Sequence, residues 1–161
     1  MLAALAVLLL AVAVPASAAP FDTDFVSDLS GGQEVPPVDT PATGAARFDV
    51  IDLGGGKGEI RFRLGVSQID NVAAANIHLG CPGENGDVVA FLFSGGPTGP
   101  VNGRLSQGVI RRNNLVGPLQ GQPLDALVDA MESNCTYVNV HTTDWPGGEI
   151  RGQIFGTSPN P

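Results

Sequence analysis

Glu59-Ile-Arg-Phe-Arg-Leu-Gly-Val66 decides the fold class. Ile60, Phe62, Leu64 and Val66 recur at every second position, with Glu59, Arg61 and Arg63 between them. Successive side chains of a strand point to opposite faces of a sheet, so this period puts the apolar set on a buried face and the charges on the other. The preceding run, 45–53, repeats the alternation, with Ala46, Phe48 and Val50 against Arg47 and Asp49. Gly54-Gly-Gly56 separates the two runs and predicts a hairpin. Similar short runs occupy 25–29, 73–79, 88–93, 103–110, 137–142 and 149–155. Asn85-Gly86, between two of them, predicts a tight turn with positive φ.

One segment has a different period. Over 123–132, Leu124, Leu127, Val128 and Met131 fall at helical spacing, with Asp125, Asp129 and Glu132 opposite. Pro123 suits the first position of a helix, and the apolar stripe suits packing against a sheet. About eight short strands with one short helix predict an all-β Greek-key sandwich or flattened barrel. A chain of 161 residues is the size of one domain with one core.

Residues 1–18 are read as a signal peptide. They carry no charged side chain, consist mostly of Ala, Leu and Val, and end in Ala16-Ser-Ala18, the small-x-small pattern of a cleavage site. The competing reading is an uncleaved anchor, since 1–19 is just long enough to span a bilayer. Cleavage would leave a mature chain starting at Ala19, with a lead at 19–23 and a tail at 157–161. The expected location is therefore extracytoplasmic, whether extracellular or periplasmic. Cys81 and Cys135 are the two cysteines, and an even pair bound for an oxidising compartment predicts a disulfide.

All 8 basic and 16 acidic residues lie beyond the leader, giving a net charge of −8. That field opposes nucleic acid and, once the leader is removed, anionic membrane surfaces. It favours cations or basic partners, and it also serves plain solubility.

The chain carries no nucleophile elbow, phosphate loop or zinc-protease helix motif, which favours a non-enzymatic protein. His78 and His141 are its two histidines. Each falls on the polar face of its predicted strand, His78 with Asn76 and His141 with Tyr137 and Asn139. A Cys81–Cys135 bond would bring the two strands together. His78 and His141, with Asp144 or Glu149, then form a candidate zinc or copper ligand set. The competing reading makes them hydrogen-bonded polar residues. Glu149 and Arg151 alternate on one face and read as a surface charge ladder. Gly148 and Gly152 read as a bulge or a place of close packing. Gln33-Glu-Val-Pro-Pro37 reads as an ordered loop capping the sandwich, and Gly83-Glu-Asn-Gly-Asp87 has too few ligands for a calcium loop.

Four motifs taken together carry a family resemblance: Gln33-Glu34-Val35-Pro36-Pro37, Asn76-Ile77-His78-Leu79-Gly80, Tyr137-Val138-Asn139-Val140-His141, and Gly148-Glu149-Ile150-Arg151-Gly152. In this order they resemble the CHRD domain family, over a domain placed at 24–156. The resemblance implies an immunoglobulin-like sandwich, akin in fold to Cu/Zn superoxide dismutase, and no shared reaction. Ala75-Asn-Ile-His78 stands where such domains usually read Ala-His-Ile-His, so Asn76 replaces an imidazole. The chain therefore reads first as a secreted, non-enzymatic module that binds an extracellular protein or polymer. One alternative is a zinc- or copper-binding protein or weak metalloenzyme using His78 and His141. Another is a structural component of an envelope or matrix.

Overall fold

The computed structural model describes residues 24–52 and 58–157. The expected leader at 1–18, the lead at 19–23, the glycine turn at 54–56 and the tail beyond Thr157 lie outside them. Nine strands are described: β1 (Phe25–Ser30), β2 (Thr43–Asp52), β3 (Gly58–Ile69), β4 (Val72–Leu79), β5 (Asp87–Phe93), β6 (Val101–Ile110), β7 (Thr136–Thr142), β8 (Ile150–Gln153) and β9 (Phe155–Gly156). Helix α1 spans Asp125–Glu132.

Their order is β5-β4-β7-β8-β1-β2-β3-β6, with β9 also on β1. All these pairings are antiparallel. Between β8 and β1 the register is the single pair Ser30↔Arg151. The sheet bends there into two halves, β5-β4-β7-β8 and β1-β2-β3-β6, which face each other across the core. The outer edges, β5 and β6, come into contact and nearly close the structure. Across that near-closure β4, β5 and β6 are consecutive and β7 returns beside β4, the arrangement of a Greek key. The all-β expectation holds.

The alternation read around Glu59 positions the core. Phe48, Ile60, Phe62, Leu64, Val138, Val140 and Ile150 are all buried in it. Full burial of one such side chain is worth about 1.5–3 kcal/mol. β2 and β3 pair throughout, with Phe48 opposite Phe62 and Ile60 opposite Val50. Between β3 and β4 the chain changes halves through Asp70-Asn71 alone. Gln68 at φ 54° and Asn71 at φ 53° make that corner, a left-handed conformation that asparagine tolerates better than most side chains. α1 starts two residues later than expected, and Leu124, Leu127 and Met131 join the core.

Two local expectations are corrected. The run 149–155 is not one strand. Ile154 is buried and donates its N–H to Thr136 O, and Phe155 then pairs with Val26 on β1, so the chain changes partners and β8 gives way to β9. Asn85-Gly86 does not supply the positive-φ turn between β4 and β5; Gly83 does, at φ 83°. Gly86 is required for a different reason, because a Cβ there would lie 1.7 Å from Leu79 O. Asn139 points away from the core as expected, and it is 4% exposed because a second layer of chain covers the outside of the sheet there.

Cys81 and Cys135 are bonded, with Cα atoms 3.8 Å apart. The bond joins the loop after β4 to the segment between α1 and β7. Gly80 N–H donates to Cys135 O beside it.

Candidate functional site

The outer face of β4, β7 and β8 carries a grid of polar side chains set by register. Gln153, Tyr137 and His78 form one row across the three strands, and Arg151, Asn139 and Asn76 form the next. His141, opposite Ala74, begins a third. Partners opposite one another in an antiparallel sheet share a face, so the alternation that buries Ile77, Val138, Val140 and Ile150 inward turns all of these outward.

Two segments roof one end of the grid. A 3-10 turn at Gly31–Gln33 leads into Glu34, which is 5% exposed. The loop 80–86 lies beside it, and Asn85 Nδ2 donates to Val35 O between the two. Below, Arg151 donates to Asn85 Oδ1 at 3.1 Å and to Glu84 O at 2.8 Å. Gly86 N–H donates to the Tyr137 hydroxyl, and Gln153 Nε2 donates to Gly80 O and Asn134 O. The expected capping loop at 33–37 is therefore present, and it covers polar side chains.

Glu149 and Arg151 are not an exposed charge ladder. Arg151 is 2% exposed, and its hydrogen bonds go to neutral oxygens. Glu149 is buried and accepts from the Thr40 and Thr142 hydroxyls at 2.7 and 2.8 Å. Close packing explains both glycines. A Cβ on Gly152 would meet Asp28 O at 2.3 Å, and one on Gly148, at φ 126°, would meet Asn139 Oδ1 at 2.4 Å and Glu34 Oε1 at 2.7 Å.

The two histidines come together across the grid, with ring centroids 5.7 Å apart. His78 also stacks on Tyr137, at 4.9 Å and 11° between planes. His78 Nδ1 lies 2.9 Å from Gly86 O, and His141 Nδ1 lies 3.0 Å from Pro146 O. A carbonyl oxygen only accepts, so each Nδ1 carries the proton and each neutral ring keeps its lone pair on Nε2. Burial holds both rings' pKa below the usual histidine value against those two hydrogen bonds, and the nearby His141 and Arg151 add to the effect on His78.

Neither carboxylate of the metal set read from the sequence joins the two histidines. Asp144 is exposed on the turn between β7 and β8, and Glu149 is engaged by its two threonines. Among the described residues no group of three or more His, Cys, Asp or Glu side chains is placed to hold a metal ion.

Five buried polar atoms on this face have no hydrogen-bond partner among the described residues: Glu34 Oε1, Asn76 Oδ1, His78 Nε2, Asn139 Oδ1 and His141 Nε2. Each such atom costs free energy unless something pairs with it. The Glu34 carboxyl answers by keeping its proton to higher pH than an ordinary carboxyl does. Burial raises its pKa to about 7, against the opposing pull of the Arg151 charge and a long contact from Asn139. Glu34 belongs to the first of the four motifs, which does not mark it as a buried acid. Its only sequence signal is a charged residue in a Pro-rich turn.

At the unroofed end the face opens into a cleft of about 370 Å³ lined by Ala73, Ala74, Asn76, His141, Thr142, Thr143 and Pro146. Phe91, opposite Asn76 on β5, is 55% exposed, and Trp145, in the turn that supplies Pro146, is 42% exposed. The motifs that build this face also identify it: the family model of the CHRD domain matches residues 25–154. The chain belongs to the CHRD domain family. A comparison of this CHRD chain with curated proteins found no match. Glu34, Asn76, His78, Tyr137, Asn139, His141, Gly148, Glu149, Arg151 and Gly152, drawn from all four motifs, meet on or beneath one face of the CHRD fold.

Proposed function

We propose that this CHRD domain is an exported, non-enzymatic binding module that takes a segment of extracellular polymer or protein against the cleft on β4 and β7. The observation that carries the reading is the cleft itself. Asn76 and His141 line it, and two exposed aromatic residues neighbour its lining, Phe91 opposite Asn76 on β5 and Trp145 next to Pro146 in the chain. An apolar rim over a few fixed polar groups is how a ligand is both held and oriented. The disulfide supports export, and no described helix is long and apolar enough to cross a membrane.

Co-sedimentation of the purified mature protein with insoluble extracellular polysaccharides and cell-wall material tests the reading. The parent is expected in the pellet, and Phe91→Ala with Trp145→Ala to weaken retention at least tenfold. No retention of the parent, or equal retention of the double variant, overturns it. Sequencing the amino terminus of the exported protein checks the leader, with Ala19 expected first.

A further inference from the structure

The histidine pair points to a ligand other than a polymer. A hydrogen-bonded polar core would use both nitrogens of each ring. Here each Nδ1 is spent on a backbone carbonyl, Gly86 O or Pro146 O, and each Nε2 is buried without a partner. Those carbonyls belong to loops at opposite ends of β4 and β7, so each Nε2 is directed away from its own loop. Backbone carbonyls that fix Nδ1–H are the usual supports of metal-bound imidazoles, because they set both the tautomer and the ring orientation.

The spacing agrees. Two imidazoles bound through Nε2 at about 2.0–2.1 Å to one ion have ring centroids about 4.5–6.5 Å apart, according to the angle at the metal. The observed separation is 5.7 Å. Asn76 lies between them in the grid, one row from each, and its Oδ1 is likewise buried and unpaired. The cleft that reaches Asn76 and His141 gives an ion an entry path and room for water.

We infer that His78 Nε2 and His141 Nε2 bind a late first-row transition-metal ion, with the Asn76 amide oxygen and solvent completing its shell. Neutral imidazoles suit copper and zinc, and at a site of given donors copper binds more tightly. With two imidazoles the site is open rather than caged. The inference does not need the polymer reading, although Asn76 and His141 belong to both.

Calorimetric titration of the metal-stripped, disulfide-intact protein with copper(II) and then zinc(II) tests this, with pulsed electron paramagnetic resonance of the copper form to count imidazoles. The parent is expected to take one copper per chain with two imidazoles coupled to it. His141→Ala should weaken binding at least tenfold and leave one coupled imidazole. Asn76→His should tighten binding at least tenfold and add a third. If His78→Ala proves unfolded by circular dichroism, the more accessible His141 and the Asn76 variant decide the matter. Equal copper binding by parent and His141→Ala, or no gain in Asn76→His, overturns the inference. Repeating the co-sedimentation with metal-stripped protein separates the two readings, because polymer retention survives there if only the metal inference fails.

Discussion

The guanidinium carbon of Arg151 lies 3.5 Å from the centre of the Tyr137 ring, which also stacks on His78. A buried cation is costly, and here the ring and two neutral oxygens of the loop 80–86 compensate it. Arg151 thereby fastens the roof to the sheet next to the histidines.

Removing that clasp should loosen the roof. Arg151→Ala is expected to lower the unfolding free energy by about 2–4 kcal/mol, from two charge-assisted hydrogen bonds and the ring contact. Urea denaturation measures it. Arg151→Met should also move the Glu34 pKa further up, because the Arg151 charge is what restrains it. Carbon-detected NMR titration of the Glu34 carboxyl reads that shift, and a downward movement would contradict the arrangement.

Stability should depend on pH with opposite signs from the two kinds of buried group. The Glu34 pKa is raised from 4.5 to about 7 in the fold. Its contribution is complete below the unfolded value and is lost as pH rises through about 7. The histidines' folded pKa values are lowered, so their contribution is complete above the unfolded value of 6.5 and is lost as pH falls through the lowered ones. Glu34→Gln, which cannot ionise, is therefore expected to be more stable than the parent at pH 8. The gain should be at most about 2 kcal/mol once solvent screening is allowed for, and it should vanish near pH 4.5. Thermal melts of both proteins across pH 4–9 decide this.

Gly148 and Gly152 should tolerate no side chain. Gly152→Ala drives a methyl group into Asp28 backbone, prising β8 from β1 where a single residue pair joins them. Gly148→Ala meets Asn139 and Glu34 at a φ of 126°. Each is expected to cost about 2–3 kcal/mol. Only Gly148→Ala should alter the Glu34 titration, and measuring both stability and that titration distinguishes local strain from loss of the site.

Cys81 and Cys135 close a loop with a sequence separation of 54. Cys81→Ser is expected to lose up to about 4 kcal/mol on the loop-entropy model. The loop 80–86 should exchange its amide hydrogens faster than β2 and β3 do. Equal protection of that loop in parent and variant would show that its hydrogen bonds to Arg151, Tyr137 and Gln153 hold it without the disulfide.

The periodicity of single strands was enough to determine the fold class, the inward set from Phe48 to Ile150, and the outward position of Asn76, His78, Asn139 and His141. Which face a side chain takes is a local property of an extended chain. The Cys81–Cys135 pairing was equally legible, since the chain has no other cysteine to offer. What covers an outward face is not local. Arg151 reads as a surface residue, and Asn139 only as one on a polar outer face, because nothing in their own strands announces that 31–38 and 80–86 fold over them. The split of 149–155 into β8 and β9 depends on β1, more than a hundred residues earlier, presenting a free edge at Val26. The separation of the two imidazoles and their choice of Nδ1 as donor depend on where Gly86 O and Pro146 O come to rest. Strand pattern is fixed by neighbours in sequence, whereas burial of polar groups and the pairing of their lone pairs are fixed by long-range contacts, so only the tertiary structure decided the site.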